Sequence, residues 1–575
     1  MSVLPETPDE KLGHSQLYVS ALVGHDGATR SESSLEAGIR TPDKESVIEN
    51  QSQTSAPEGE FQDQTLRLPF PRLISAYLCL SALYFISQLD INSVATALPT
   101  ISNSLNAGNT ITWTGTAYVM GQTAFQPLYG RFSDIFGRKV VLMTCIVFLI
   151  GGDLLCGFAQ NYIWLYVCRA LSGIGGGGIN SLVQITASDL VSLRDRGKYQ
   201  GILSCATGLG ASTGPFIAAA IMANSSDGWR WIFWVPPILA TVCMILTWVW
   251  LPLKPVTGRW SEKIQKIDWL GLFTVVIGIA INSGGSTFPW TNPIIISLLV
   301  LGGTFIILFG VVEVWIAKIP MIPLRLFTKL STSIIFLQSV LYNGVWQINL
   351  YFLPMYFQDV RGYDPLKNAM LMLSLLLTQS VAALFAGQII SKLGRRSFYR
   401  PGPVLFGGLA LWTLGTGLKI LFSRTTPVSV YVISLIIEGI GIGCNLQPAL
   451  VALQALSRPE DRAVATSTRN LMRMLGSVFG LAIATTVQFE FMKIGLSDAI
   501  PPALRSRVID GLWQRGEPGS EMWDSAILDA KLNGVHAVFI MTVPMTALCL
   551  LGCFFIPNVR LKGDPKSENN EEKQG

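Results

Sequence analysis

Apolar runs of about 20 residues recur along most of the chain and constrain its fold more than any other feature. Each run is long enough to cross a hydrocarbon core of about 30 Å as a helix that rises about 1.5 Å per residue. Backbone groups in lipid need internal partners, and these runs lack the alternation of barrel strands, so we expect an all-α polytopic membrane protein. The fourteen predicted spans are 73–98, 111–129, 140–158, 163–187, 200–223, 231–252, 269–288, 293–316, 333–357, 366–390, 402–421, 428–452, 464–489 and 534–557.

The composition agrees with a membrane protein and argues against catalysis. Half of the residues are hydrophobic and 14% are charged, whereas a soluble domain carries about 25% charge. With three histidines we expect no metal site, no cofactor and no enzyme activity, and the nine cysteines, all in apolar runs, are expected to be free thiols. No phosphate-binding loop of an ATPase is present, so a transport cycle would draw on an ion gradient.

Basic residues set the expected orientation. They concentrate in the short loops after even-numbered spans, as with Arg131, Arg138 and Lys139 after the second. The positive-inside rule therefore predicts that both termini lie in the cytoplasm. We expect a multi-pass protein of the plasma membrane. The net charge of +5 is small, and the Lys and Arg residues lie between apolar runs. This distribution favours a bilayer rather than nucleic acid as the partner. In this topology Asn224, within an Asn-Ser-Ser sequon, is the predicted glycosylation site.

An internal repeat divides the chain. The sequence GRFSDIFGRK at 130–139 closes the second span, and GQIISKLGRR at 387–396 closes the tenth with the same Gly, Gly, basic, basic spacing. Two related halves that meet at a midplane site are typical of transporters. The predicted domains are a disordered cytoplasmic tail at 1–71, a six-helix bundle at 72–252, a central loop and two-helix insertion at 253–332, a second six-helix bundle at 333–557 with an outer loop at about 490–533, and a cytoplasmic tail at 558–575.

Four motifs carry a family resemblance. The first span contains LDINSVATALP at 89–99, the loop motif is 130–139, the fourth span carries Arg169 with two glycines, and the fifth carries GASTGP at 210–215. These resemble the major facilitator superfamily, and within it the fourteen-span drug:proton antiporters, especially fungal toxin and multidrug efflux pumps. The resemblance implies a 6 + 2 + 6 arrangement of 14 transmembrane helices, acting as a monomer.

The loop motif is expected to gate the transporter. The resemblance implies a conformational latch formed by Gly130, Asp134, Gly137, Arg138 and Lys139. The glycines permit a tight turn, the aspartate can pair with a helix N-terminus, and Arg138 can anchor at the inner leaflet. The alternative is a solvated basic loop.

The fifth-span motif is expected to shape a helix rather than bind substrate. Gly210, Gly214 and Pro215 permit close helix approach and a bend that alternating access can use. Ordinary small-residue packing is the alternative, and Ala218 and Ala219 replace the final glycine pair of the family motif.

Charged residues inside the spans are the candidates for proton coupling, since a charge at mid-bilayer costs about 2.5 to 3.5 kcal/mol on insertion scales. Asp90 and Arg169 lie at similar depth, about 12 and 9 Å from the outer ends of their spans, so they can pair. The resemblance implies that helices one and four share one cavity wall. Asp90 is then expected to be a proton-titratable group whose pKa is set by burial beside Arg169, and a static ion pair is the alternative. Glu438, near the midplane, is the second candidate, or else hydrogen-bonds groups such as Asn445.

Four further charged residues within the predicted spans are expected to have roles other than proton coupling. Asp153 and Glu313 lie near span ends, where we expect them to snorkel. Arg469 and Arg473 are expected to play a structural part, contacting the loop around Asp134 or lipid headgroups.

Polar and aromatic residues at four-residue spacing predict a substrate cavity. Each set shares one helical face, which suits a bulky, weakly polar guest, although packing between helices is an equal alternative. The predicted cavity residues are Tyr118, Gln122, Asn180, Gln184, Asn343, Trp346, Gln347 and Tyr351.

Together these features predict a proton-coupled antiporter that exports an amphipathic organic compound, such as a toxin, secondary metabolite or drug, by alternating access. The alternative is a proton-coupled uptake carrier for an iron chelate or another small metabolite.

Overall fold

The computed structural model describes residues 68–107, 111, 113–193, 195–222, 228–253, 256, 268–270, 293–316, 320–393, 402–496, 500–509, 513 and 522–557. These residues are helical at each predicted span, although only the first two residues of 269–288 are described, so the all-α prediction is confirmed. The α-helices are α1 Phe70–Leu105, α2 Trp113–Phe136, α3 Arg138–Gly157, α4 Tyr162–Leu190, α5 Arg196–Met222, α6 Trp229–Trp250, α7 Pro293–Val311, α8 Leu330–Met355, α9 Pro365–Leu393, α10 Gly402–Leu418, α11 Val428–Leu456, α12 Arg462–Gly495, α13 Pro502–Ile509 and α14 Asp524–Gly552.

Nine helices in the described part of the chain are long and apolar enough to cross a membrane. Other long helices, such as α2 and α4, turn polar residues such as Gln126 and Asn180 into the bundle, which dilutes the apolar signal. The total of fourteen spans remains a prediction, because most of 269–288 lies outside the described residues.

Helix packing repeats between the two halves. In the first half α1 packs on α5 and α6, α2 on α4, and α3 on α4 and α6. In the second half α8 packs on α12 and α14, α9 on α11, and α10 on α11 and α14. Each contact in the first half therefore has a counterpart in the second, as two copies of one motif would produce.

The halves meet where α5 crosses α9 and where α2 crosses α12. A Cβ added at Gly387 would lie 2.1 Å from the carbonyl oxygen of Gly197, and one at Gly130 would lie 2.9 Å from that of Ala463. The first glycine of each copy of the repeated motif thus lets a helix of one half approach a helix of the other.

The segment between the last two spans is more helical than predicted. Helix α12 continues to Gly495, α13 covers Pro502–Ile509, and α14 begins at Asp524, inside the loop predicted at about 490–533. These helix ends are too polar to register as apolar runs. All nine cysteines are free thiols, as expected. Asn224 and both predicted tails, apart from residues 68–71, lie outside the described residues.

Candidate functional site

A cavity of about 110 Å³ lies between the two halves. It is lined by residues of α1, α4 and α5 from the first half and of α8, α9, α11 and α12 from the second. Three predicted residues, Gln184, Asn343 and Trp346, line it. The side-chain amide nitrogen of Gln184 donates a hydrogen bond to the Tyr84 hydroxyl oxygen at 2.6 Å, so two helices of the first half are joined at the cavity wall.

Two predicted residues of α2 do not line this cavity. Tyr118 and Gln122 are buried against α4, where a Cβ at Gly173 would lie 2.1 Å from the Tyr118 carbonyl oxygen and one at Gly177 would lie 2.8 Å from Cγ of Gln122. The glycine-rich face of α4 brings the helices so close that the α2 stripe is used for packing, which was the alternative explanation.

Three more predicted residues also lie away from the lining. Asn180 is buried, Gln347 is partly buried, and Tyr351 is 51% exposed. Eight residues turn a helix by about 800°, or 80° past two full turns, so the four-residue spacing from Asn343 to Tyr351 drifts off the cavity face. For Tyr351 the predicted shared face was therefore wrong.

The cavity wall contains two arginines that were predicted to lie elsewhere. Arg469 and Arg473 line the cavity from α12, and neither role predicted for them, contact with the Asp134 loop or with headgroups, is seen in the described contacts. Arg469 donates to the carbonyl oxygen of Leu446 at 3.0 Å, and Arg473 donates to Oδ1 of Asn343 at 3.2 Å.

Asp90 and Arg169 form the expected pair inside the first half. One guanidinium nitrogen of Arg169 lies 2.9 and 3.1 Å from the two Asp90 oxygens, and both side chains are fully buried. The Arg169 guanidinium also lies 4.4 Å from the ring centroid of Tyr118, a cation–π distance. Tyr118 therefore belongs to the ion cluster and not to the cavity wall.

Asp153 is a third member of this cluster. Its Oδ1 lies 3.3 Å from the same Arg169 nitrogen, and its side chain is 0% exposed, so the expectation that it snorkels was wrong. Glu313 does not snorkel either: it is buried and accepts a hydrogen bond from the backbone N–H of Met321 at 2.9 Å. Distance from a span end underestimates burial where neighbouring helices cover that end.

Glu438 lies in a second buried cluster, in the other half. Its Oε1 is 3.1 Å from Nζ of Lys419, and it accepts hydrogen bonds from Asn349 at 2.7 Å and from the indole of Trp412 at 3.2 Å. Asn445, the partner suggested by sequence, is not among these contacts. Lys419 was missed because it lies in the last turn of an apolar run, where a basic residue normally marks a helix end.

The fifth-span motif packs on the helix that carries Asp90. A Cβ at Gly210 would lie 2.4 Å from the Phe85 carbonyl oxygen, and one at Gly214 would lie 3.0 Å from that of Leu89. Pro215 lies inside α5 one residue further on. The same helix lines the cavity through Ser204 and its neighbours, so α5 connects the cavity with the Asp90 cluster.

The loop motif is buried and paired. Arg138 is 2.5 Å from Asp134 and 2.9 Å from Asp189 at the end of α4, and only 7% of it is exposed. It is therefore neither a solvated loop residue nor an anchor in the headgroups. Gly137 has a φ of +98°, and Lys139 donates to the carbonyl oxygens of Trp248 and Leu251 at the end of α6. The motif thus joins α2, α3, α4 and α6 at one end of the bundle.

We call that end, which carries Arg138 and Arg196, the basic end. Among the described residues, the hydrogen bonds between the halves lie in the parts of the helices nearest to it. They join Arg196 to Gln454 at 3.1 Å, Asn470 to Ser181 at 3.1 Å, Ser391 to Asp195 at 3.4 Å, and Gln447 to Ser204. The halves are therefore closed together on the basic side of the cavity.

Two similar six-helix halves around a central cavity, with buried ion clusters and an interface at one end, define a membrane transporter. Comparison with known proteins agrees: the sequence profile of the Major Facilitator Superfamily matches residues 80–481. The chain belongs to this superfamily. It is therefore a multi-pass integral membrane protein that transports small molecules, and not an enzyme.

Similar proteins include fungal exporters. The chain is 38% identical to "Citrate exporter 1" of Yarrowia lipolytica over 514 residues, which is 88% of this chain and 75% of that protein. It is 34% identical to "Efflux pump dotC" of Dothistroma septosporum over 409 residues, 70% of this chain and 69% of the pump. A structure of the proton:xylose symporter XylE matches with a TM-score of 0.56 at 13% identity, covering 87% of this chain and 99% of XylE, which shows the shared fold.

Proposed function

We propose that this transporter exports a small amphipathic organic compound across the plasma membrane in exchange for protons. The observation that carries the proposal is the buried cluster in which two carboxylates, Asp90 and Asp153, contact one guanidinium, that of Arg169. The printed names of two relatives, a citrate exporter and an efflux pump, support the export direction.

The charge of the cluster favours a proton-binding site. With both acids ionised the cluster has a net charge of −1, and with one acid protonated it is neutral. Burial strongly disfavours uncompensated charge, so a single proton shared by Asp90 and Asp153 relieves the excess. Breaking the Asp90 contact with Arg169 would in turn change the proton affinity of both acids. We therefore assign the coupling proton to this pair of carboxylates.

Glu438 then has a different role. Lys419 already balances its charge one to one, and Asn349 and Trp412 donate to the same carboxylate oxygen. The cluster is neutral without an added proton, so we assign it to structural support of the second half.

Coupling between proton and substrate would run through α1 and α5. Asp90 lies on α1 two residues after Gln88, which lines the cavity, and Gly210 of α5 packs against this part of α1. A change in protonation that shifts α1 would therefore move the cavity wall. We propose that the basic end faces the cytoplasm, so that the halves are closed together on the cytoplasmic side and protons enter from outside. Proton release then follows when the halves separate at the basic end.

Everted vesicles with an imposed pH gradient, acid inside, test the proposal. Labelled citrate is the first probe, because of the relative's name, followed by a panel of labelled toxins and drugs. We expect gradient-dependent accumulation that Asp90→Asn and Asp153→Asn abolish, whereas the paired variant Glu438→Gln with Lys419→Met retains it. Asp529→Asn, whose side chain is 57% exposed, is the matched control. Gradient-dependent loss of cargo from the vesicles would instead indicate an uptake carrier, and undiminished coupling in both aspartate variants would refute the assignment.

A further inference from the structure

The central cavity has a positively charged wall. Arg469 and Arg473 lie one turn apart on α12, and the residues that line the cavity with them include no aspartate or glutamate. In the described part of the chain neither guanidinium has a carboxylate within 4.0 Å. By contrast, the buried Arg138 and Arg169 each contact two carboxylates.

The two arginines are held by neutral groups instead. Besides the Leu446 carbonyl, Arg469 has a long contact of 3.5 Å to the Tyr342 hydroxyl, and its Nε has no partner among the described residues. The Arg473 guanidinium lies 5.7 Å from the ring centroid of the same tyrosine. Asn343 accepts from the Arg473 side chain and donates to its backbone carbonyl at 2.8 Å, which fixes the position of the arginine.

Burial makes this arrangement costly unless a ligand completes it. Arg469 is 1% exposed, and a buried charge without a counter-ion costs several kcal/mol. In a membrane bundle such a charge usually marks a substrate or ion pathway. The missing partner is an anion, and a carboxylate matches the planar guanidinium with two parallel hydrogen bonds.

Two glutamines on the cavity wall suggest polar groups elsewhere on the ligand. The side-chain amide nitrogens of Gln184 and Gln447 donate to the hydroxyl oxygens of Tyr84 and Ser204, respectively. The amide oxygen of each glutamine is buried without a partner among the described residues. Trp346 and Leu446 supply apolar surface in the same cavity. The volume of about 110 Å³ is small beside the 300 to 1,000 Å³ of drug-sized pockets.

We propose that the cavity binds a small organic acid as its carboxylate, with Arg469 and Arg473 holding the anionic group and the glutamine amides meeting a second polar group. This inference rests on the proposed export function and names the class of its substrate. Arg469 and Arg473 are then specificity-determining residues.

Ligand-induced thermal stabilisation of the purified full-length chain tests the site directly. The probes are citrate, malate and benzoate, with the uncharged trimethyl ester of citrate as a comparison, at constant ionic strength. We expect at least one of the acids to raise the unfolding temperature and the ester to leave it unchanged. Arg473→Gln should weaken binding of the acid by about tenfold to a hundredfold, the range for losing a hydrogen bond to a charged group.

Controls separate the site from general effects of charge and folding. Lys493→Gln removes a cation from the far end of the same helix, where the side chain is 37% exposed, and should bind the acids as the unmodified chain does. If Arg469→Gln is too unstable to purify, Arg469→Lys keeps the charge and should bind weakly but measurably. Stabilisation by none of the acids, or equal stabilisation in Arg473→Gln, overturns the inference.

The same variants distinguish this inference from the proposed function. If Asp90→Asn binds the acid but moves it without dependence on protons, both proposals stand. If the arginine variants lose binding while the unmodified chain transports the acid independently of any proton gradient, the anion site stands and the antiport proposal fails.

Discussion

Gly387, the first glycine of the repeated motif in the second half, is expected to control how closely α9 approaches α5 at the basic end. An alanine Cβ at this position would lie 2.1 Å from the Gly197 carbonyl oxygen, whereas ordinary contact begins at about 3.4 Å. Because the Cβ is bonded directly to the α9 backbone and the oxygen belongs to the α5 backbone, α5 and α9 must separate locally by up to the 1.3 Å difference. Overpacking of this kind costs about 1 to 3 kcal/mol. That cost falls only on the state in which the helices touch, so Gly387→Ala should shift the equilibrium toward the separated state by about 5- to 150-fold.

Hydrogen exchange measured by mass spectrometry on the chain in nanodiscs detects this shift. Amides of α5 at 196–208 and of α9 at 380–391 should exchange faster in Gly387→Ala, and faster still in Gly387→Val. Gly407→Ala is the matched control, because a Cβ there has no atom within 4 Å, and its exchange should equal that of the unmodified chain. Unchanged exchange in both Gly387 variants, with the protein folded, would refute the role of this crossing in closure.

Three further predictions concern buried charge and backbone geometry. Arg138→Gln removes a cation that contacts two buried aspartates and should cost about 3 to 5 kcal/mol, seen as a lower unfolding temperature than that of the neighbouring Lys139→Gln; equal temperatures would contradict it. Glu438→Gln should destabilise the chain by a similar amount, whereas adding Lys419→Met should restore part of the loss, and strict additivity in this double-mutant cycle would exclude the pairing. Gly137→Ala forces a side chain into φ +98° and should cost about 1 to 3 kcal/mol, a cost that normal stability of the variant would disprove.

Patterns along the chain predicted the helices well because a membrane span is a local property. The apolar runs located α1 to α6 to within several residues at most ends, and the repeated motif anticipated the matching helix contacts of the two halves. The pair of Asp90 and Arg169 was also predictable, since the two opposite charges lie at similar depth and the family resemblance implies that their helices share a cavity wall.

Contacts between distant helices were less accessible to sequence reasoning. Asp153 joins the Arg169 cluster because α3 packs on α4, and that packing leaves no trace in the spacing of residues. Their distance from the start of the predicted span suggested that Arg469 and Arg473 lie near a helix end. In the structure α12 starts two residues before that span, and both arginines line the cavity. Tyr118 shares a helical face with Gln122, yet which neighbour that face meets is decided by the glycines of α4.

Proton movement driven by the cargo distinguishes proton exchange from uncoupled transport. The purified chain is reconstituted into liposomes with a trapped pH-sensitive dye, and an acid shown to bind is added on one side with no initial pH difference or voltage. We expect that cargo entering the liposomes drives protons out, and that Asp153→Asn suppresses this proton flux. Cargo that accumulates against its own gradient with the pH difference and the voltage both clamped at zero would exclude proton antiport.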